Sequence, residues 1–480
     1  MKWMQASVPE EHGVSSRSVT KFVERIKKFK IRLNSFMLLR NDSILAEGYW
    51  APFNAQMQHR MYSISKSFTS CAIGILVDEG KLNLDDCVAD YFADKCPEKL
   101  HPYIARATVR DLLRMATPHN ATTYKLYNGN WVESFFRVKP SHPPGTIFNY
   151  DTSGSHVLGA LVERVSGLSL HAFMRDRVLD EIGFSQNAVW LADPYGIPQA
   201  GSGMCCTMRD LARFGLLCLH QGSYEGKQYV SQHYMQAATS KQITNDVRGL
   251  INSYTISGHG YGYQFWCGID DVFICYGMCG QFVFVSPSRR MVVVTTADTQ
   301  IDPGDEARIL EAIWEELFVP LSAEVLPENT DEYTKMQAVL KDLSLITAPG
   351  ISKSPIIPQI AGKRFMLYEN CLGISEILLD FNAEGISFYY TKQIGLSKID
   401  FGWGKHIRQT MKNGGFDCVA SGGWVDECTL ELWLCVIDET PATVKILLNF
   451  NAKEISVCMH RAVDTILLDY SGFAGGIMLD

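Results

Sequence analysis

The sequence predicts an α+β domain followed by a smaller all-β domain. Two strand-like runs near the start (SFMLLR and SILAEGYW) and four between about 260 and 297 (YGYQFWCG, DVFICYG, QFVFVS and MVVVTTA) enclose a mainly helical stretch. This order favours one antiparallel sheet whose first and last strands meet in space, with helices packed on it. From about 360 onwards, short apolar runs recur at close intervals, which is typical of a barrel or a sandwich.

The same observations set the domain limits. We expect the first domain to span residues 1–322 and the last to span 359–480. Between them, the polar, helix-prone PENTDEYTKMQAVLKDL and the proline-bearing APGISKSPIIPQ predict a linker with a helix over 323–358.

The first elements have individual signals. Asn41 and Asp42 separate the first two strand-like runs, and both residue types tolerate the left-handed backbone that a two-residue hairpin requires. Before them, SSRSVTKFVERIKKFK has apolar residues at helical spacing, which predicts an amphipathic surface helix. Several later helical patterns end in a C-cap glycine, at Gly80, Gly167 and Gly222.

The bulk composition excludes several classes of function. The net charge of −8, with a pI near 5.9 and no long basic run, leaves no electrostatic footprint for nucleic acid. The longest apolar runs, such as CAIGILV at 71–77, are far too short to span a bilayer, and the N-terminus has no apolar segment of a secretion signal. Fourteen scattered cysteines suit a reducing compartment, so we expect a cytoplasmic protein with no membrane partner.

No cofactor or metal is expected, because the sequence has no Cys-x-x-Cys, His-Glu-x-x-His or Gly-rich phosphate loop. The Gly-x-Ser-x-Gly elbow of α/β-hydrolases is also absent, which leaves Ser-x-x-Lys as the remaining nucleophile pattern. It occurs twice, at Ser18-Val-Thr-Lys21 and at Ser63-Ile-Ser-Lys66, and about two chance matches are expected in a chain of this length.

Burial separates the two matches. Lysine acts as a base only if its pKa falls below about 10.4, which requires desolvation or nearby positive charge. Lys21 lies on the polar face of an amphipathic helix, whereas Lys66 opens SFTSCAIGILV, which has no broad polar face and should run through the core. A neutral Lys66, one helical turn after Ser63, is able to accept the serine proton. The alternative is a buried Lys66 satisfied by carbonyl groups or a carboxylate, with Ser63 as a helix N-cap.

Two further segments carry groups that would assist such a serine. Tyr150 follows a Pro-Gly turn, and a nearby Lys⁺ would lower its pKa, so that a phenolate takes the serine proton and later returns one to a leaving group. In GMCGQFVFV, Gly277 and Gly280 bracket a strand entrance whose N–H groups would form an oxyanion hole with the Ser63 N–H. The alternatives are a structural tyrosine and a β-bulge.

Together and in this order, these segments resemble the penicillin-binding-protein and class C β-lactamase superfamily of serine hydrolases. Ser63-Ile-Ser-Lys66 is similar to its Ser-x-x-Lys, Tyr150-Asp151-Thr152 to its Tyr-x-Asn, and YGMCGQFVFVSPSRRMVVVTTAD to the strand of its third motif. Flanking text such as TVRDLLRMAT and SGMCCTMRDLARFG extends the resemblance over nearly all of 1–322. Within the superfamily, the chain looks closest to esterase-like and 6-aminohexanoate-dimer-hydrolase-like members.

The resemblance implies a β-lactamase/transpeptidase-like domain, with helices on an antiparallel sheet, followed by a lipocalin-like barrel. It implies Ser63 as the nucleophile, with Lys66 and Tyr150 as general base and acid. It also implies a set of residues beside the substrate and the oxyanion: Thr152, Met278, Cys279, Gly280 and Gln281. Thr152 replaces the family Asn and Lys-Thr-Gly is absent, so a β-lactam or peptide carboxylate lacks its usual cationic partner.

The sequence therefore predicts a serine hydrolase that acylates Ser63 with a small-molecule ester or amide. Within enzymes, the alternative is a D-amino-acid peptidase or a β-lactamase. From another class, the alternative is a catalytically inactive binding or sensor module that retains the pocket. No nucleic acid partner is expected, the C-terminal domain leaves a homodimer open, and the natural substrate is not specified.

Overall fold

The structure is a computed structural model that describes residues 3–245, 252–302, 304–461 and 466–479. The chain divides into two compact units, Met1–Thr299 with Pro303–Leu343 and Gln300–Asp302 with Ser344–Asp480. The helix expected within 323–358 is present at Thr330–Lys341, where it packs against the N-terminal helix inside the first unit.

The first unit is built from helices and strands that alternate in blocks. Its helices are α1 (Ser16–Lys28), α2 (Ser65–Asp78), α3 (Pro102–Ala105), α4 (Val109–Leu113), α5 (Trp131–Arg137), α6 (Thr152–Ser166), α7 (Leu170–Met174), α8 (Met208–Leu219), α9 (Gln232–Ala238), α10 (Gly304–Ile313) and α11 (Thr330–Lys341). Its strands are β1 (Leu33–Arg40), β2 (Ser43–Tyr49), β3 (His59–Arg60), β4 (Val189–Trp190), β5 (Met204–Cys206), β6 (Ser223–Tyr224), β7 (Lys227–Gln228), β8 (Trp266–Cys267), β9 (Phe273–Gly277), β10 (Gln281–Ser286) and β11 (Met291–Ala297).

Six of these strands form one antiparallel sheet in the order β2-β1-β11-β10-β9-β8. The predicted meeting of the first and last strands is confirmed, because β1 pairs with β11 and Phe36 lies opposite Thr295. A hydrogen bond of 2.6 Å between the hydroxyls of Ser35 and Thr296 joins the same two strands. Strands β10 and β11 consist entirely of buried residues, and α8 packs against both of them. This arrangement of helices on an antiparallel sheet confirms the predicted α+β class.

The predicted hairpin and two of the three predicted helix ends are also confirmed. Asn41 and Asp42 connect β1 to β2 with left-handed φ angles of 49° and 67°, as a two-residue turn requires. Gly80 and Gly167 lie just beyond the ends of α2 and α6 with left-handed φ angles of 67° and 76°. The prediction for Gly222 is wrong, because α8 ends at Leu219 and Gln221 is the first left-handed residue after it. These signals are local, which is why the sequence carries them.

Helix α2 runs through the core of the first unit, as its composition predicts. Every residue from Ser65 to Leu76 is buried, and the helix packs against α6, α7 and α9. The Phe68 ring stacks on Phe214 of α8 with centroids 3.7 Å apart. A helix buried on all sides has no polar face, so the lysine in its first turn must find its partners inside the protein.

The run YGYQFWCG departs from the strand that was predicted for it. Only Trp266–Cys267 pairs with the sheet, as β8. The preceding backbone is bonded elsewhere, since the Tyr263 N–H donates to Ala238 and the Gln264 N–H donates to Leu113. Contacts with the helical part of the unit have overridden the local preference for a strand.

The second unit is an all-β barrel, as predicted. Its elements are α12 (Ile357–Ile360), β12 (Arg364–Leu367), β13 (Ile374–Phe381), β14 (Gly385–Lys392), β15 (Gly395–Trp403), β16 (Ile407–Thr410), β17 (Asp417–Trp424), β18 (Thr429–Val436), β19 (Ala442–Asn451), β20 (Glu454–Arg461) and β21 (Gly472–Met478). In the described residues, nine strands close into a barrel when β15 pairs in parallel with β17, while β16 pairs with β17 outside the ring. Apolar side chains such as Phe365, Trp424 and Phe450 fill its interior. The lipocalin-like character of the barrel stays a prediction.

Among the residues that the structure describes, no single helix is long and apolar enough to cross a membrane. One bent pair, Thr152–Ser166 with Leu170–Leu179, meets the requirement by length and composition alone, with a bend of 71°. Most residues of the first of these segments are buried within the protein.

Candidate active site

Ser63 lies in a short 3-10 turn, Tyr62–Ile64, that leads into α2. Tyr62 has a left-handed backbone with φ of 45°, which is uncommon for a residue with a large side chain. Ser63 is partly exposed, whereas both of its neighbours in the turn are buried. The cap position of α2 is Ile64 and no side chain caps the helix, so the alternative of Ser63 as an N-cap is wrong.

Lys66 lies one helical turn after Ser63 and points back at it. Its Nζ is 2.9 Å from Ser63 Oγ and 2.7 Å from the carbonyl oxygen of Gly201. Only 1% of the residue is exposed. Burial lowers the pKa of Lys66 to about 7, although the nearby Asp151 carboxylate opposes the shift. Lys66 can therefore lose its proton near neutral pH, and a neutral amine can accept the serine proton.

The other serines of MYSISKSFTS are engaged elsewhere. The Ser65 hydroxyl donates to a carbonyl of the preceding turn at 2.6 Å and accepts from the first N–H of β5 at 2.9 Å. The hydroxyls of Ser67 and Ser70 form hydrogen bonds with residues much later in the chain. Ser63 is thus the serine whose hydroxyl meets Lys66.

Tyr150 shares a hydrogen bond with Ser63 and completes a cluster of three polar groups. Lys66 Nζ lies 5.0 Å from the centroid of the Tyr150 ring, and Trp266 stacks on that ring with centroids 5.5 Å apart. Burial raises the pKa of Tyr150, against the lowering effect of its hydrogen bond with Ser63. The expected phenolate beside a charged lysine is therefore wrong. The lysine is the group that loses its proton near neutral pH, and the tyrosine keeps its own.

Asp151 follows Tyr150 and anchors the start of α6. Its carboxylate accepts from the Ser153 N–H at 2.9 Å and from the Thr117 hydroxyl at 2.8 Å. Burial raises the pKa of Asp151, while these hydrogen bonds and the Lys66 charge oppose the shift. No role was predicted for Asp151, although an Asp before a helical pattern is a recognisable N-cap. It fixes the helix end that carries Tyr150.

Thr152 is the first residue of α6 and lies beside the backbone that holds Lys66. It is partly exposed, and a Cβ added to Gly201 would come within 2.5 Å of its methyl group. The same added Cβ would lie 3.3 Å from Lys66 Nζ. The structure thus brings Thr152 to the edge of the cluster, and its contact with a substrate stays a prediction.

Gly277 brings the third segment against the turn that carries the nucleophile. It is the last residue of β9, and a Cβ there would lie 2.3 Å from the Met61 carbonyl oxygen and 3.2 Å from the Ile64 side chain. Its missing side chain lets β9 pack directly on the turn of Ser63. Met278 follows with 42% of its surface exposed. No described residue accepts a hydrogen bond from the Met278 N–H, and the role of this group as an oxyanion donor stays a prediction.

The other residues predicted in this segment are engaged inside the protein. The N–H groups of Cys279 and Gly280 both bond to the carboxylate of Glu306. Gln281 is fully buried, and its side-chain amide donates to the Ala297 carbonyl at 2.7 Å and accepts from the Ala297 N–H at 3.2 Å. Cys279, Gly280 and Gln281 therefore shape the turn through internal bonds, which corrects the expectation that they face the substrate. Sequence reasoning missed Glu306, because no motif marks it.

The arrangement favours nucleophilic attack by a hydroxyl, with an amine as proton acceptor and a phenol as proton donor. Within the described ranges, no group of histidine, cysteine, aspartate or glutamate side chains is placed to hold a metal ion. None of the fourteen cysteines, all of which lie in the described ranges, forms a disulfide, and most of them are buried.

Comparison with known proteins adds independent findings. Residues 26–318 match the family described as Beta-lactamase. The 6-aminohexanoate-dimer hydrolase of Paenarthrobacter ureafaciens is 26% identical over 296 residues, which cover 54% of this chain and 71% of that protein. Penicillin-binding protein 4 of Amycolatopsis lactamdurans is 24% identical over 310 residues, which cover 55% of this chain and 77% of that protein. A solved penicillin-binding protein homologue from Caulobacter crescentus shares the fold, with a TM-score of 0.52 at 16% identity over 66% of this chain and 100% of that one.

Proposed function

Because the chain belongs to the beta-lactamase family, a family of hydrolases, we propose that it is a serine hydrolase that forms an acyl-enzyme on Ser63 from an ester or amide. One observation carries this proposal: the Ser63 hydroxyl lies 2.9 Å from the buried Lys66 amine, whose pKa is about 7. Such an amine is a base at neutral pH, and it is in contact with the nucleophile. Tyr150 supplies a protonated phenol on the same serine oxygen.

Acylation follows from these contacts. Neutral Lys66 accepts the proton of Ser63 as Oγ attacks the substrate carbonyl carbon, so the C–O bond forms without a free alkoxide. When the tetrahedral intermediate collapses, Tyr150 gives its proton to the departing oxygen or nitrogen. The Lys66 ammonium then returns a proton to the phenolate, and both groups are restored.

Deacylation uses the same groups in reverse. A water molecule attacks the carbonyl carbon of the ester on Ser63 and loses a proton to the neutral Lys66 amine. The bond to Oγ breaks, and Ser63 recovers a proton from the Lys66–Tyr150 pair as the acid product leaves. The enzyme ends in its starting protonation state.

The negative charge on the tetrahedral oxygen needs donors that are already in place. We assign this role to the backbone N–H groups of Ser63 and Met278. The close approach that Gly277 allows supports this assignment, because it brings the residue before Met278 against the nucleophile turn.

We propose an ester or a linear amide as the substrate. Thr152 stands in the family Asn position, and the third segment has no lysine to hold a carboxylate. The name of the Paenarthrobacter relative assigns hydrolysis of a 6-aminohexanoate dimer to that protein, which supports an amide as one arm of a substrate search.

A fluorophosphonate probe tests the nucleophile. We expect one covalent adduct, located on Ser63 by mass spectrometry, and its loss in Ser63→Ala. Ser18→Ala is the matched control, since it alters the other Ser-x-x-Lys match and should label normally. Absence of an adduct on Ser63, or full activity of Ser63→Ala, would reject the proposal in favour of a binding module.

A panel of p-nitrophenyl esters, linear amides, D-amino-acid peptides and a chromogenic cephalosporin tests the substrate class. We expect turnover of the esters or the linear amides, abolished in Ser63→Ala. Turnover of only the cephalosporin or the D-peptides would instead identify a β-lactamase or a D-amino-acid peptidase.

A further inference from the structure

We propose that Glu306 is a positioning residue for the oxyanion hole: its carboxylate holds the turn Met278–Gly280 in the shape that leaves the Met278 N–H facing the substrate. This inference rests on the proposed function, because it concerns the donor assigned there. It adds a residue that no motif contains and that does not contact Ser63 or Lys66.

The contacts of Glu306 converge on this turn. One carboxylate oxygen accepts the Cys279 N–H, and the other accepts the Tyr276 hydroxyl at 2.5 Å. The Gly280 N–H and the Thr299 side chain also bond to the carboxylate. In the part of the chain that the structure describes, no lysine or arginine forms an ion pair with Glu306. Burial raises the pKa of this carboxyl, and the hydrogen bonds from these donors oppose the shift by stabilising the charged form.

The backbone of the turn explains why it needs such a partner. Cys279 and Gly280 have consecutive left-handed φ angles of 73° and 86°. That conformation is unfavourable for a non-glycine residue such as Cys279. Successive N–H groups in a tight turn point into one concavity that suits an anion, and the Glu306 carboxylate lies there. The carboxylate thus compensates the left-handed turn and sets where the preceding N–H, that of Met278, is placed.

The same carboxylate also supports the proton donor. The ring of Tyr276, which Glu306 holds by its hydroxyl, packs edge-on to Trp266 with centroids 5.9 Å apart. Trp266 in turn stacks on Tyr150 at 5.5 Å. A continuous set of packed groups therefore joins Glu306 to both the oxyanion turn and Tyr150.

The test replaces the carboxylate by its neutral isostere, Glu306→Gln, which places an NH₂ group among N–H and O–H donors. For an ester substrate we expect kcat to fall at least about tenfold, toward the ~10²–10³ seen when an oxyanion donor is lost. KM should stay within about twofold, because the substrate itself does not touch Glu306. The affinity for a boronic acid, which forms a tetrahedral adduct on serine, should fall by the same factor as kcat/KM.

Two further variants serve as controls. Asp305→Asn removes a buried carboxylate from the same turn of α10, where Asp305 pairs with Arg308 at 2.6 Å, and should keep kcat and boronate affinity. Tyr276→Phe removes one donor from the Glu306 carboxylate and leaves the turn N–H bonds, so its loss of kcat should be smaller than that of Glu306→Gln.

The outcomes separate this inference from the proposed function. A folded Glu306→Gln with wild-type kcat and boronate affinity overturns the inference. The inference also fails if the fall in kcat is fully explained by a lower fraction of active sites that the fluorophosphonate probe labels. If Glu306→Gln does not fold, Glu306→Asp, which withdraws the charge by one methylene, is judged by the same criteria. An unlabelled, inactive wild-type protein would instead overturn the proposed function.

Discussion

Two segments of the chain share the pattern Ser-x-x-Lys but place its two ends in opposite surroundings. In α1, Ser18 is buried and Lys21 is exposed. At α2, Ser63 is partly exposed and Lys66 is buried. The Ser63 hydroxyl is therefore accessible to a substrate from solvent, whereas the Lys66 amine is surrounded by protein.

The comparison shows that the spacing of the two residues brings the hydroxyl close to the amine, whereas burial lowers the pKa of the amine and makes it a base. Three residues along a helix bring a hydroxyl and an amine into range in either segment. A hydrated lysine stays charged at neutral pH, whereas burial lowers the pKa of Lys66 to about 7. The carbonyl of Gly201 then satisfies the neutral amine without fixing a charge on it.

The largest effect should come from restoring a permanent charge at the buried position. Lys66→Arg keeps a long cationic side chain but cannot deprotonate near neutral pH. We expect kcat/KM for an ester to fall to the upper end of the ~10²–10⁴ range for losing an acid–base group. Lys21→Arg is the matched control and should be unchanged. A Lys66→Arg enzyme with more than a tenth of wild-type activity would show that burial of the amine is not what matters.

Tyr150→Phe should lower kcat by about 10²–10³, which is less than the loss in Lys66→Arg, because Lys66 still accepts the serine proton. The loss should depend on the leaving group. Alkyl esters, whose alkoxide needs a proton, should suffer more than p-nitrophenyl esters, whose leaving group does not. Equal losses for both would contradict the assignment of Tyr150 as the acid.

Gly277→Ala tests whether the nucleophile turn needs its close contact with β9. The new Cβ would meet the Met61 carbonyl oxygen at 2.3 Å, so the Ser63 turn or the strand must move. A shift of about 1 Å in an active site costs about 10² in rate, and overpacking costs about 1–3 kcal/mol of stability. Gly475→Ala in the barrel, where the nearest atom is 3.8 Å away, is the control for both kcat and thermal melting. Wild-type kcat in a stably folded Gly277→Ala would show that this close contact is dispensable.

The pH profile of the unmodified enzyme should show the smallest effect, and it tests directly whether burial lowers the pKa of Lys66. Lys66 acts in its neutral form, and its pKa is lowered to about 7, so the active form is depleted as pH falls through 7. We expect kcat/KM to level off above this value and to fall about tenfold for each pH unit below it. An acidic limb centred near 10 would mean that the catalytic lysine is as hydrated as a free lysine side chain.

Features that depend on neighbouring residues could be predicted from the sequence. The hairpin at Asn41 and Asp42, the burial of α2 and the strand rhythm of the barrel are encoded in turn residues and in apolar periodicity. The pairing of Ser63 with Lys66 followed from helical spacing together with the lack of a polar face around them.

Features that depend on distant contacts could not be predicted. The strand expected around Trp266 is mostly irregular because its backbone bonds to the helical part of the unit. The direction of the Tyr150 pKa shift was predicted wrongly, because the desolvation that raises this pKa, with Trp266 stacked on the ring, arises only in the folded protein. Glu306 looks like any other acidic residue of an amphipathic helix, and only the three-dimensional structure shows what its carboxylate binds.

The pairing of β1 with β11 also leads us to expect a late step in the assembly of the site during synthesis. Ser35 and Thr296, which bond across these strands, are 261 positions apart in the chain. Contacts between residues so far apart in the sequence form slowly, since a long loop must close before they stabilise the fold. The nucleophile turn packs on β9, within the same sheet, so we expect the site to form only after β11 has left the ribosome. A nascent chain that ends before β11 contains Ser63, Lys66 and Tyr150. It lacks the strand that joins β1 to β10 and so completes the sheet.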